Sequence, residues 1–192
     1  MKGIYLGACR AVHENYKDLV YQDIDGTRDI GGDMMSIDLR PYDYVICTPP
    51  CNFWSRANYR RFTSSYSQIT MHLLPCSLVR LALNGKPFLI ENVRNESMFK
   101  EYHIFELCDL YSINVYFYGR HTYFSNLLID FSNIPQVADN IVYKSPYTPK
   151  GLDNDNYRQG GINVHNCVDY FLEVVHQCNL LSLSPLCLHG SL

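Results

Sequence analysis

The chain has 192 residues, enough for one domain with a buried core, and its balance of 47% hydrophobic to 18% charged residues excludes an intrinsically disordered protein. A net charge of −3 argues against a uniformly basic nucleic-acid surface, so any phosphate contact must come from a local patch. The eight cysteines form no CxxC pair, and Met1 to Leu6 is too short an apolar run for a signal peptide. Reduced thiols in a cytoplasmic, soluble protein are expected, with no membrane segment.

Apolar runs mark the first elements. Gly3 to Ala8, Leu19 to Gln22, Tyr44 to Thr48 and Pro87 to Ile90 read as buried parallel strands bounded by turn-forming or charged residues. Between the last two, Ser67 to Leu83 carries Ile69, Leu73, Leu74, Leu78, Leu81 and Ala82 at helical spacing, and Asn84-Gly85-Lys86-Pro87 stops it. Asn114 to Tyr118 and Thr122 to Leu127 read as a hairpin turning at Gly119-Arg120-His121. Residues 132–161 are rich in Pro, Asn, Asp, Gly and Tyr and read as irregular. Asn166 to Leu180 reads as a last amphipathic helix, and 181–192 has no pattern and is compatible with a disordered tail. The expectation is one α/β domain over 1–180 with a mostly parallel central sheet, whose ligands gather at the carboxyl ends of the strands.

Three strand-exit loops carry chemistry. Thr48-Pro49-Pro50-Cys51 is a stiff exit that fixes the direction of a thiol, although a lone cysteine is as often a packed core residue. The loop beyond it sets Ser55, Arg56, Asn58, Arg60 and Arg61 among Phe53, Trp54, Tyr59 and Phe62, a composition suited to phosphate and base contacts or to a solvated helix start. Glu91-Asn92-Val93 follows Phe88-Leu89-Ile90, so its carboxylate should be partly desolvated, which favours the protonated form; a helix-capping role is the plain alternative. The third loop, Tyr118 to Asn126, offers Arg120 either to a base carbonyl or to water.

Taken together, Gly32-Asp33-Met34, then Tyr42 to Ser55 with its Pro49-Pro50-Cys51, and Phe88 to Asn95 with its Glu91-Asn92-Val93 about forty residues on, resemble conserved blocks of the DNA cytosine-C5 methyltransferases. Arg120 sits where that family's arginine block falls, with Tyr118 and Thr122 in place of the outer residues. Phe124-Ser125-Asn126 looks like the ending of compact phage-type members. The resemblance spans about residues 19–127. It implies a Rossmann-like class I S-adenosylmethionine-dependent methyltransferase fold, S-adenosylmethionine as cofactor, cytosine-containing DNA as partner and, for a phage protein, the host cytoplasm. It also implies Cys51 as nucleophile at cytosine C6, Glu91 as acid at N3, Asn92 as orienter of the catalytic loop and Arg120 as a contact to O2. Gly7, Asp23, Asp25, Asp33 and Pro49 would line the cofactor, and Ser55, Arg56, Arg60 and Arg61 would meet DNA. A free thiol is only a few per cent ionised at neutral pH, so nearby arginines are expected to help.

The chain departs from the family in two places. Of the glycine-rich cofactor block only Gly7 remains, in Ile4-Tyr5-Leu6-Gly7-Ala8-Cys9-Arg10, and no large recognition domain is present. Residues 132–161, with Lys144, Lys150 and Arg158, stand in its place, so recognition points to single-stranded DNA or a partner protein. Gly161-Ile162-Asn163-Val164 is a short match to the block that closes the cofactor pocket. Four readings stay open: an active methyltransferase, a cytosine-modifying enzyme with another donor, a non-catalytic DNA- or protein-binding module, and a cysteine hydrolase using His72 or His121.

Overall fold

A computed structural model describes residues 1–9, 11–55, 58, 61–134 and 155–183, with side chains in the last stretch described over 163–179. Seven strands form one mixed sheet: β1 (Gly3–Leu6), β2 (Leu19–Asp23), β3 (Ile30–Gly31), β4 (Tyr44–Cys47), β5 (Phe88–Val93), β6 (Asn114–Tyr118) and β7 (His121–Ser125). Their spatial order is β3-β2-β1-β4-β5-β7-β6. The first five strands in that order run parallel, and β7 is antiparallel to both β5 and β6. The result is an α/β architecture with a mostly parallel sheet flanked by helices, compatible with a Rossmann-like fold.

Alternating side chains give the sheet two apolar faces. Ile4, Leu6, Val45, Phe88, Ile90 and Phe124 pack on one side against α2 (Leu73–Asn84), α3 (Glu96–Glu101) and α4 (Ile104–Leu110), which follow the short α1 (Ser65–Ile69). Tyr5, Tyr44, Ile46, Leu89 and Tyr123 face the other way, where α5 (Asp155–Leu183) buries Cys167, Val168, Phe171, Leu172 and Val175. Strand order reverses between β1 and β4, so the loops leaving these two strands part at the carboxyl edge and open a crevice.

Two expectations are corrected. The helix read over Ser67 to Leu83 is interrupted, with a 3-10 turn at Thr70–His72 between α1 and α2. Pro75 explains the break: it has no N–H for the Met71 carbonyl four residues back. That carbonyl instead accepts the Trp54 indole N–H at 2.9 Å. The last helix begins at Asp155 rather than Asn166, taking in the end of the segment read as irregular. Gly160 and Gly161 cost a helix about 1 kcal/mol each, but the buried face from Asn163 to Val175 outweighs that local preference. Lys144 and Lys150 lie outside the described residues, as does the side chain of Arg158; the backbone through 161–164 is helical.

Candidate active site

Cys51 lies four residues beyond the end of β4, half-buried, in a loop held from three sides. Its carbonyl accepts the backbone N–H groups of Trp54 and Ser55 at 3.0 and 2.8 Å, closing a tight turn. From β5, the buried Asn92 donates its side-chain amide to the Pro49 carbonyl at 3.0 Å. Asn95, which caps α3 by accepting from Met98 N–H, donates to the Trp54 carbonyl at 2.8 Å. From the helices, Thr70 Oγ1 accepts the Phe53 N–H at 3.3 Å, and Trp54 is anchored on Met71. The proline pair alone could not fix the thiol; these cross-links do.

Glu91, partly buried on β5, bears on this thiol electrostatically. Burial first, and the Glu91 charge second, push the Cys51 thiol up to about 11, so it rests protonated near neutral pH. This is opposite to the activation by nearby arginines expected from the sequence. Glu91 also faces Tyr5 from β1 and Tyr123 from β7, whose hydroxyls are raised chiefly by burial and further by this carboxylate. Its polar partner is His121: Nδ1 lies 2.5 Å from Glu91 Oε1, with both side chains largely covered. The register explains the pair. β5 and β7 match Glu91 with Tyr123 and Val93 with His121, so His121 and Glu91 are diagonal neighbours on one face of an antiparallel ladder.

Arg120 lies exposed in the turn before β7, where its carbonyl accepts the Arg94 N–H at 2.9 Å; the next residue, His121, is the one that meets Glu91. Ser55 follows the tight turn, and Arg61 folds back to donate from Nε to the Asn58 carbonyl at 3.3 Å. Arg56 and Arg60 lie outside the described residues. Phe62 is well exposed and packs edge-on against Phe53. Of the histidines considered for a hydrolase, His72 pairs with Tyr102 at 3.0 Å and His121 Nδ1 is on Glu91.

The residues expected to hold a cofactor gather after β1, β2 and β3 at the same edge. Asp23 ends β2 and accepts the Ile24 N–H at 2.7 Å. Asp25 turns inward on Thr27, accepting from its N–H and hydroxyl, which holds its carboxyl below the usual range. Asp33 caps the Met34–Ser36 turn by accepting from Met35 N–H at 2.9 Å. Pro49 is buried behind the thiol. Gly7 has φ +67°, and a Cβ there would lie 2.6 Å from the Thr48 carbonyl oxygen, so the close approach of the two diverging loops already requires a glycine. Its N–H donates to Gln22 Oε1 at 3.0 Å, its carbonyl accepts from Thr48 Oγ1 at 2.7 Å, and Gln22 Nε2 donates to the Gly32 carbonyl at 2.5 Å. An acidic residue at the end of β2 fits a ribose, but the one retained glycine is occupied by the protein itself and does not fit the methionine end of S-adenosylmethionine.

Sequence reasoning missed His13, His165 and Asp169. His13 is buried in the β1–β2 connection, with Nδ1 2.6 Å from Asp169 Oδ1; His165 Nε2 lies 3.1 Å from Asp169 Oδ2. One ligand-type atom from each falls within 4.8 Å of the others. The two imidazoles are stacked, 4.3 Å apart and 8° from parallel. A metal ion must lie close to the plane of each ring it binds, and two parallel, offset planes cannot share one ion. As folded, this is a carboxylate bridging two rings, tying α5 to the β1–β2 connection. The i, i+4 spacing of His165 and Asp169 is visible in the sequence; the partner 152 positions earlier than His165 is not.

No protein-family model matches the chain, and no curated protein matches it. Among the described residues, no helix is long and apolar enough to cross a membrane.

Proposed function

We propose that this chain is a DNA cytosine-C5 methyltransferase-like enzyme of the class I methyltransferase fold, acting through Cys51 on an extruded cytosine. The observation that carries the reading is a thiol beyond β4 braced from the adjacent strand β5, whose Asn92 grips Pro49; the charge of Glu91 on that strand acts on the thiol. Strand order, with an antiparallel β7 beside β5, is compatible with that fold class.

In this reading the Cys51 S–H proton leaves to water as Sγ adds to C6 of the ring, and the C5=C6 electron pair moves toward N3, which takes a proton from Glu91. C5 thereby becomes nucleophilic. A resting thiol near 11 suits an enzyme that ionises its nucleophile only with substrate in place. Extruding a base costs a few kcal/mol, and less from a single strand. S-adenosylmethionine is the donor this fold class suggests, with Asp23 toward its ribose. Its methionine end finds no fit at Gly7, whose N–H and carbonyl are already bonded within the fold.

The self-satisfied Gly7 favours a second reading, in which the thiol and carboxylate serve a different donor or remain in a non-catalytic binding module. A single-stranded oligonucleotide carrying 5-fluorocytosine separates these readings. An adduct that survives denaturation, needs S-adenosylmethionine and disappears in Cys51→Ala supports the methyltransferase. An adduct formed without it points to another donor. No adduct, together with no calorimetric binding of S-adenosylmethionine, overturns the enzymatic reading.

A further inference from the structure

Resting on the reading above, we infer that His121 is a positioning residue that shares and replenishes the proton Glu91 delivers to the ring. The geometry carries this. His121 Nδ1 and Glu91 Oε1 are 2.5 Å apart, their side chains are 17% and 13% exposed, and the β5–β7 register holds them on one face. A separation this short between a carboxyl and an imidazole is a charge-assisted bond in which one proton serves both groups.

The surroundings sharpen the assignment. The titratable groups facing Glu91 from other elements are Tyr5 on β1, Cys47 on β4, Cys51 beyond β4, Tyr123 on β7 and Cys167 on α5, each raised partly by the Glu91 charge. All five are neutral when protonated, so none supplies a positive charge to the carboxylate. The basic group in contact with the carboxylate is the His121 imidazole, next in sequence to the exposed Arg120. An arginine at this place would stay charged throughout the physiological range and could not surrender its proton. An imidazole can.

The proton balance is simple. As the Sγ–C6 bond forms, the S–H proton of Cys51 leaves to water and N3 takes the single proton shared by Glu91 and His121, leaving a carboxylate beside a neutral imidazole. Water restores that proton at the small exposed part of the His121 ring. When the sulfur later leaves C6, it regains a proton from water and the N3 proton returns to the pair. The site therefore works while the pair holds its proton and stops as rising pH removes it.

Two measurements test this, one independent of turnover. The first follows the His121 ring proton by NMR across pH in the wild type and in Glu91→Gln. A shared proton requires the His121 midpoint to fall by about one pH unit when the carboxylate is removed; an unmoved midpoint overturns the inference whatever the protein catalyses. The second follows exchange of the cytosine C5 hydrogen in D2O on a single-stranded oligonucleotide, which needs thiol addition and N3 protonation but no methyl donor. The expected wild-type profile has an alkaline fall. His121→Gln should slow exchange by about tenfold, and His121→Arg, which keeps the positive charge but surrenders no proton, should not recover the rate; full recovery in His121→Arg would overturn the proton-sharing role. Superimposable profiles for the wild type and His121→Gln overturn the role. Absence of exchange in the wild type overturns the cytosine chemistry instead, while the NMR result still decides whether the pair shares its proton.

Discussion

The side-chain amide of Asn92 reaches the Pro49 carbonyl at 3.0 Å in the interior, so the exit of β5 holds the exit of β4 and with it the direction of Cys51. The same Asn92 accepts the Val93 N–H on its other side. Asn92→Asp keeps the shape and the acceptor but removes the donor, placing an oxygen against an oxygen. Stability should fall by about 1–3 kcal/mol in urea denaturation. Adduct formation should fall further than the fraction unfolded accounts for, since the loop loses its registration. Equal loss of both would reduce Asn92 to a packing residue.

Cys51 supplies a direct chemical readout. Its thiol is pushed up to about 11 by burial and then by Glu91, so its alkylation by iodoacetamide should be slow at pH 7 and keep accelerating well above pH 9. Glu91→Gln removes the charge that opposes ionisation. At pH 8 that variant should be alkylated several-fold faster at Cys51, read by peptide mass spectrometry. A rate in Glu91→Gln equal to the wild type would separate the thiol from the carboxylate and undo the site.

Much of this site was legible in the sequence because proline, cysteine and glutamate after apolar runs are local signals. β1, β2, β4 and β5, and the order of their loops, follow from short apolar runs, fully buried in β1 and β4 and partly so in β2 and β5. What braces the loop was not legible. Trp54 on Met71, Asn95 on Trp54 and Asn92 on Pro49 are contacts over 17 to 43 positions, set by how strands and helices pack. The pairing of His121 with Glu91 was not legible either, because it depends on the β5–β7 register that sets them on one face. The stretch at 155–165 was hidden by its glycines, whose local preference is the reverse of what packing imposes.

The break between α1 and α2 is itself testable. Pro75 leaves the Met71 carbonyl open, and the Trp54 indole fills it at 2.9 Å. Trp54→Phe keeps the ring packed on Phe53 and Tyr102 but deletes the donor, and should cost about 0.5–1.5 kcal/mol. In a Pro75→Ala background the helix can satisfy that carbonyl, so the same Trp54→Phe change should cost measurably less. Additive losses across the two variants would show that the proline and the indole are not coupled.

Acid should loosen the clamp between α5 and the β1–β2 connection. Burial holds His13 below its ordinary value near 6.5, and the Asp169 carboxylate only partly opposes this. The unfolded chain therefore binds a proton here more readily than the folded one. The stability from a neutral His13 is complete above about pH 6.5 and declines as pH drops toward its lowered folded value. His176 is lowered by burial as well and acts in the same direction. Melting temperature should thus fall between pH 7 and pH 5, and fall less in His13→Asn, which keeps a donor for Asp169 but cannot take a proton. Parallel curves for the two proteins would assign the acid sensitivity elsewhere.

Gly7 decides whether the crevice after β1 belongs to a cofactor or to the fold. Its φ of +67° and the Thr48 carbonyl 2.6 Å from where a Cβ would sit give Gly7→Ala two penalties, strain and collision, before any ligand arrives. The left-handed strain alone is worth about 1–3 kcal/mol. The bonds from Gly7 N–H to Gln22 and from Thr48 to the Gly7 carbonyl should be disturbed with it. The expected result is a clear drop in the urea midpoint without any ligand present. Had the glycine been kept to let backbone approach a cofactor, Gly7→Ala would instead fold with unchanged stability and lose only its calorimetric binding of S-adenosylmethionine. Because the loops of β1 and β4 must part at this point for the sheet order to reverse, the fold alone is sufficient reason for the glycine.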